Sequence, residues 1–346
     1  MHKILVTGGA GFIGTHVCLL LLENGFEVIA IDSLVNSDES IINNIRKISQ
    51  SEKLKFKRGD VRSKSFLKEI FYKEKNLGNP IVGVIHLAGL KYVSESFENP
   101  IMYWDVNVCG SINLLEVMQL YNCYRFVFSS SATIYDASNN CKLSENSSIK
   151  PLNPYGFTKL AVEDFLNNLY LSNNKKWGIF ILRYFNPIGA HSSRLIGENA
   201  RGESRNIFSL ISNVALGVDN NFEIFGSDWP TFDGTPVRDY VHIMDLANGH
   251  LKAIQFLMKN SPNFYNINLG SGNGFSVLEL IKVFEKINKV KIPYSMALRR
   301  KGDPCYLVAD ISLAKKILKW IPQFSIEDMC ASGWNWELTK LQKVDN

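Results

Sequence analysis

Over its first half the chain alternates short, apolar, β-branched runs with longer stretches whose apolar residues recur at helical spacing. KILVT precedes residues 13–23, EVIAID precedes 41–48, LKFKRGD precedes 66–73, PIVGVIHLAG precedes 101–120, and RFVFSSS follows. A further helix is predicted to begin at Asn153-Pro154, with asparagine as the cap and proline at the first helical position. WGIFILRYFN then reads as another buried strand. This alternation predicts an α/β fold, a doubly wound parallel sheet with helices on both faces, over residues 1–186. From 187 to 235 the periodicity gives way to loops and glycines (GAHSSRLIGENARGES, then FGSDWPTFDGT), where a smaller mixed α/β domain is expected to begin. VRDYVHIMDLANGHLKAIQFL reads as a strand and helix returning to the sheet domain over 236–263. Residues 264–346 are assigned to the smaller domain, ending in a tryptophan-rich helix.

Composition narrows the function classes. With 346 residues, 46% hydrophobic and 21% charged, the chain can bury one large or two modest cores. The formal charge of +5 is scattered without a Lys/Arg run, which argues against nucleic acid as a partner. Cys18, Cys109, Cys123, Cys141, Cys305 and Cys330 are widely spaced, with no CxxC pair and no nearby histidine cluster. Neither a disulfide framework nor a metal site is therefore expected, and the thiols suit a reducing compartment. MHKILVTGG lacks the regions of a signal peptide, and the longest aliphatic run, LLLL at 19–22, is too short to span a bilayer. The expectation is a cytoplasmic protein with no membrane segment.

The candidate chemistry sits at the ends of the predicted strands. In VTGGAGFIG, Gly9, Gly11 and Gly14 satisfy GxGxxG, and Gly8, Gly11 and Gly14 satisfy GxxGxxG. Such a turn brings backbone close to a pyrophosphate at a helix N-terminus. Asp32 ends the second strand about 20 residues on, where a carboxylate accepts from a ribose and repels a 2′-phosphate, favouring NAD over NADP. Asp60, followed by Val61, reads either as an adenine contact or as a helix cap. Ser131 ends the serine run, and Tyr155 and Lys159 stand four residues apart on one helix face. A YxxxK pair alone is an ordinary helix face. Beside a dinucleotide turn it suggests a phenolate base, whose pKa must fall from ~10 to ~7, about 4 kcal/mol of differential stabilisation.

VTGGAGFIG, Asp32, HLAGLK, FVFSSSATIY, NPYGFTK, LRYFNPIGAH, GTPVRDYVHIMDLANGH and RRKGDP occur in the order and approximate spacing of the extended short-chain dehydrogenase/reductase family. The chain resembles its UDP-sugar-epimerising members over residues 1–340. The resemblance implies a Rossmann fold with a UDP-sugar-binding second domain, and NAD-dependent, reversible epimerisation of UDP-galactose and UDP-glucose at carbon 4 through a transient 4-keto sugar. It makes Tyr155 the base, Lys159 its cationic partner on the nicotinamide ribose, and Ser131 a proton relay. It aligns Gly8, Gly11, Phe12, Ile13, Gly14, Asp32, Asn36, Asp60, Val61, Leu87, Ala88, Lys91 and Phe185 with the NAD shell. Asn186, Asn206, Phe225, Arg238, Arg300 and Asp303 align with the UDP grip, and Leu307 with the sugar-pocket wall that limits room for an N-acetyl group. Dehydrating relatives carry an extra carboxylate just after the serine run; here Ala132 and Thr133 follow Ser131. Asp136 and Ser94 stand where relatives usually have glycine. Other UDP-sugars (an N-acetylhexosamine, a pentose or a uronate) and a catalytically silent NAD-binding regulator are the alternatives. A homodimer is expected through residues 101–120 and the Tyr155 helix.

Overall fold

The structure, a computed structural model, describes residues 2–137, 141–172, 175–199, 206–300 and 302–344. Lys301 of RRKGDP and residues 200–205 of the glycine-bearing loop lie outside the described residues. The first half runs β1 (Lys3–Thr7), α1 (Phe12–Glu23), β2 (Glu27–Asp32), α2 (Ile41–Ser49), β3 (Leu54–Arg58), α3 (Lys64–Asn76) and β4 (Ile81–His86). It continues with α4 (Val93–Glu98), α5 (Pro100–Trp104), a π-helical turn at Asp105–Cys109, α6 (Gly110–Leu120), β5 (Arg125–Ser131), α7 (Pro154–Ser172) and β6 (Gly178–Tyr184). The second half comprises β7 (Asn186–Ile188), α8 (Ile207–Ala215), β8 (Phe222–Phe225), β9 (Val237–His242), α9 (Ile243–Lys259) and β10 (Phe264–Leu269). It ends with β11 (Gly274–Ser276), α10 (Val277–Asn288), β12 (Tyr294–Ala297), β13 (Tyr306–Leu307), α11 (Ser312–Leu318) and α12 (Ile326–Val344).

Seven parallel strands form the main sheet in the order β10-β6-β5-β4-β1-β2-β3. This is the doubly wound Rossmann arrangement read from the sequence. Its strands are buried on both faces, which is why β1 and β6 consist wholly of buried residues and read as largely apolar runs, interrupted by the buried charges of Lys3 and Arg183. One face is covered by α1, α2 and α9, the other by α3, α6 and α7. At the start of α7, Asn153 Oδ1 accepts the Gly156 N–H at 2.8 Å, as the cap expected there should.

Two expectations change. Residues 101–120 are not one regular helix: the π turn at Asp105–Cys109 separates α5 from α6. The domain division also shifts, because β10, assigned from sequence to the smaller domain, pairs with β6 from Phe264↔Ile179 to Leu269↔Tyr184. Without it, β6 would present an open edge. Leu307, Ala309, Ala314, Leu318 and Trp320 likewise pack into the main core. A third apolar cluster joins α8, α10 and α12 through Phe208, Ile211, Phe284 and Trp334. Short sheets of β7, β9, β11 and β13, and of β8 with β12, complete the fold. Among the described residues, no helix is long and apolar enough to cross a membrane.

Candidate active site

A cavity of about 1080 Å³ opens where the carboxyl ends of β1, β2, β4 and β5 converge and reaches across to β9 and β13. It straddles the β1/β4 junction, where the winding of the sheet reverses and ligands of such folds collect. It exceeds an ordinary drug-sized pocket.

The glycine turn forms one end. Gly8 has φ +67°, and a Cβ there would meet Ala88 N at 2.8 Å; one on Gly14 would lie 2.0 Å from Gly8 O. Gly11 begins α1 without a side-chain cap, so the first-turn N–H groups remain available to an anion. Asp32 is tied to this turn: Oδ2 accepts Ala10 N–H at 3.1 Å, and Oδ1 accepts Leu34 N–H and Ser37 Oγ–H, each at 2.9 Å. A carboxylate has about four lone-pair sites, leaving acceptor capacity for a ribose hydroxyl. Close backbone approach, uncapped donors and an adjacent carboxylate fit a dinucleotide without a 2′-phosphate. Phe12, Ile13, Asn36, Asp60, Val61, Leu87, Ala88, Lys91 and Phe185 line the same cavity. Asp60 does not cap α3, a position held by Ser63; it receives Arg62 Nη2 at 2.6 Å, and this bond holds its carboxyl below the usual range.

Tyr155, in the first turn of α7, faces the middle of the cavity beside Ser131 at the end of β5. In the protein alone, burial raises the phenol above its ordinary pKa, opposed by a hydrogen bond with Ser131 and by the charge of Lys91. Lys159, 5% exposed, donates to Ser129 O at 2.8 Å, and its Nζ lies 5.8 Å from the Tyr155 ring centroid. Burial pushes its ammonium down to about 8, against the opposing charge of Glu163. The spacing read from NPYGFTK thus places phenol and ammonium on one face, with Ser131 opposite.

The other end of the cavity gathers Asn186, Asn206, Arg238, Arg300, Asp303 and Leu307. Arg238 lies on β9, and its Nη2 is 4.0 Å from Asp303 Oδ1. Leu307, on β13, is register partner to Arg238, so a buried apolar side chain and a guanidinium stand side by side at this end of the cavity. Phe225 is not part of the cavity lining: the Arg300 guanidinium stacks over its ring at 3.7 Å. Among the described residues no cluster of three His, Cys, Asp or Glu is placed to hold a metal.

The model of the family described as GDP-mannose 4,6 dehydratase matches residues 5–332. The chain is 42% identical to a UDP-glucose 4-epimerase of Bacillus subtilis (strain 168), with 96% of each chain covered. It is 44% identical to a bifunctional UDP-glucose 4-epimerase and UDP-xylose 4-epimerase of Pisum sativum, covering 97% of this chain and 95% of that relative. The chain belongs to the UDP-glucose 4-epimerase family. A structure of a UDP-glucose 4-epimerase from Stenotrophomonas maltophila, solved with NAD and formylated UDP-arabinopyranose, superposes with a TM-score of 0.95 at 40% identity, covering 99% of this chain and 100% of that one.

In this epimerase-family chain the cavity and the residues supporting it also include groups that sequence reasoning missed: Thr133 and Glu198 line the cavity, and Asn107 lies behind it. Thr133 donates to Ser131 Oγ from its hydroxyl at 3.0 Å and its N–H at 3.2 Å, leaving the serine's own hydrogen available to Tyr155. Asn107, in the π turn, bonds Leu90 N at 2.8 Å and Thr158 Oγ1 at 3.1 Å, joining the loop after β4 to α7. Glu198 receives Lys91 Nζ at 2.9 Å and the Asn206 amide, bridging both ends of the site. Only Thr133, two residues after Ser131, carried a positional signal.

Proposed function

We propose that this protein is an NAD-dependent UDP-glucose 4-epimerase, interconverting UDP-galactose and UDP-glucose at carbon 4. The observation that carries this reading is the placement of Tyr155, Lys159 and Ser131 in one cavity between the glycine turn and Arg238 and Arg300. The test is incubation with UDP-galactose and measurement of UDP-glucose formed, without net consumption of added NAD.

The hydroxyl-bearing carbon is not acidic, so inversion requires oxidation first. Bound at the glycine turn, NAD supplies a reversible hydride acceptor. Tyr155 takes the proton of the sugar 4-hydroxyl, directly or through Ser131, and returns it after the 4-keto sugar has presented its other face. Arg238 and Arg300 hold the diphosphate while the sugar turns, their planar guanidinium groups suiting phosphate oxygens. Asn186, Asn206 and Asp303 complete the UDP grip, Phe225 supports it through Arg300, and Lys91 and Phe185 complete the NAD shell. The absence of a carboxylate at Ala132 and Thr133 favours epimerisation over dehydration.

Leu307 sets the sugar range. The kcat/KM for UDP-glucose and UDP-galactose is expected to exceed that for the N-acetyl forms by about tenfold or more, since pocket discrimination of this kind is modest. Comparable turnover of UDP-N-acetylgalactosamine would sink that preference, and Leu307→Ala should narrow it. A UDP-pentose is the second reading, supported by the named activity of the Pisum sativum relative. Retention of both Tyr155 and Lys159 argues against a silent regulator.

The functional unit is a homodimer. Ile101, 84% exposed, Met102 and Trp104 on α5 and Phe157 on the adjacent α7 are exposed apolar side chains, which suits these two helices to packing against a second copy. Light scattering at micromolar concentration should give twice the mass of one chain; a monomer mass would rule the dimer out. Six free thiols, Cys109 and Cys141 exposed among them, support a cytoplasmic location.

A further inference from the structure

The mechanism above leaves a buried ion pair unused. Glu163, 5% exposed, and Arg183, 1% exposed, meet through Arg183 Nε to Oε1 at 3.1 Å and Nη2 to Oε2 at 2.7 Å. Tyr155, Lys159 and Glu163 fall at successive four-residue steps of α7 and share one face. Three consecutive residues of β5 meet that face. Ser131 is hydrogen-bonded to Tyr155, the Ser129 carbonyl accepts Lys159 Nζ at 2.8 Å, and the Ser130 hydroxyl donates to Glu163 Oε1. Arg183 is the register partner of Ser130 across β5 and β6, which brings its guanidinium to the same carboxylate.

We propose that Glu163 is a positioning residue of the reaction centre: it holds Lys159 as the ammonium ion that the Tyr155 base requires, and Arg183 fixes the carboxylate in place. The inference rests on the epimerase reading above. A buried ammonium loses hydration and drifts toward neutrality unless a nearby negative charge opposes this. Lys159 is in that position, and Glu163 is the opposing charge on its own helix face. Tyr155 and Tyr184 also face this region, as does His86, which burial holds neutral with a pKa near 3. On the far side, Arg183 is faced by Tyr135 and Glu145, while Lys91 faces Tyr155. A purely structural ion pair would stabilise the fold without affecting the protonation of Lys159.

The test follows the Lys159 13Cε resonance with pH in lysine-labelled protein without added substrate, assigned by its loss in Lys159→Met. In Glu163→Gln the midpoint should fall by on the order of one unit, and in Glu163→Asp it should remain near the wild-type value. Epimerisation at pH 7 should fall by about twofold in Glu163→Gln with KM little changed, and the deficit relative to wild type should deepen toward about tenfold at alkaline pH, where the variant's Lys159 is the more fully neutral. Should Glu163→Gln fold poorly with Arg183 unpaired, Glu163→Gln/Arg183→Met removes both charges, and the midpoint should still fall. An unchanged midpoint in the folded glutamine variants would overturn the proposal. If wild type failed to turn over UDP-hexoses, the epimerase reading would fall instead, while the titration would still report on Glu163.

Discussion

Tyr155→Phe is expected to lower kcat for UDP-galactose by about 10³-fold, within the range for losing a positioned acid–base group, with KM within about threefold of wild type. The substitution removes one oxygen and leaves the ring that packs edge-on against Tyr103, with centroids 6.4 Å apart, so the fold and the NAD site should survive. The proton is the reason for the loss. No neighbouring group is equally placed: Ser131 is held by two donors from Thr133, and Lys159 donates to Ser129 O. A serine hydroxyl is also far too weak a base to replace a phenolate. Ser131→Ala should cost less, about 10- to 100-fold, because it removes a relay and one stabilising hydrogen bond while the base remains. Initial rates of UDP-glucose formation decide the matter, and a phenylalanine variant within tenfold of wild type would remove Tyr155 as the base.

The direction of the Tyr155 shift gives this prediction a second edge. In the protein alone, burial raises the phenol pKa, with Ser131 and Lys91 opposing. The residues of the site therefore do not by themselves make a ready phenolate; further positive charge brought by a bound dinucleotide acts in the required direction. Lys91→Met is the corresponding lesser probe, since it removes the distant charge while leaving Tyr155, Ser131 and Lys159 in place.

The parts of this architecture that were legible in the sequence are those fixed by local pattern. Strands such as β1 and β6, buried on both faces, read as apolar runs, and the cap at Asn153 follows from a side chain reaching its own helix. VTGGAGFIG was legible because the backbone leaves no room for side chains: a Cβ at Gly14 would strike Gly8 O at 2.0 Å. What escaped depends on distant partners. FYNINL joins the main sheet because β6 offers it an edge, a choice that a six-residue run does not encode. The π turn at Asp105–Cys109 lies in a continuous helical stretch, yet it carries Asn107 to Leu90 and Thr158. Phe225 resembled a ligand-facing ring, but Arg300, 75 positions away, stacks on it. Glu163 carries no signal of its own in the sequence, and only the β5/β6 register reveals its pairing with Arg183.

That pairing leads to the largest stability effect. Arg183→Met should destabilise the protein by about 3–5 kcal/mol, because it leaves a carboxylate buried without its cation. Tyr135 OH, now 2.9 Å from Arg183 Nη1, and the Glu145 carbonyl, 3.1 Å from the same nitrogen, would lose a donor as well. For a chain of this size the expected fall in Tm is roughly 5–15 °C by scanning calorimetry. Removing both charges is a different perturbation: Glu163→Gln/Arg183→Met leaves a neutral, similarly filled site, and buried pairs replaced in this way often change stability little. The double variant should therefore recover most of the loss, giving a coupling of about 2 kcal/mol or more between the two positions. Additive losses would mean that the residues stabilise the fold independently and would count against a tightly coupled pair. Recovery of stability without recovery of activity is the combination expected here, because methionine and glutamine can fill the space between β5, β6 and α7 but cannot supply the negative charge beside Lys159.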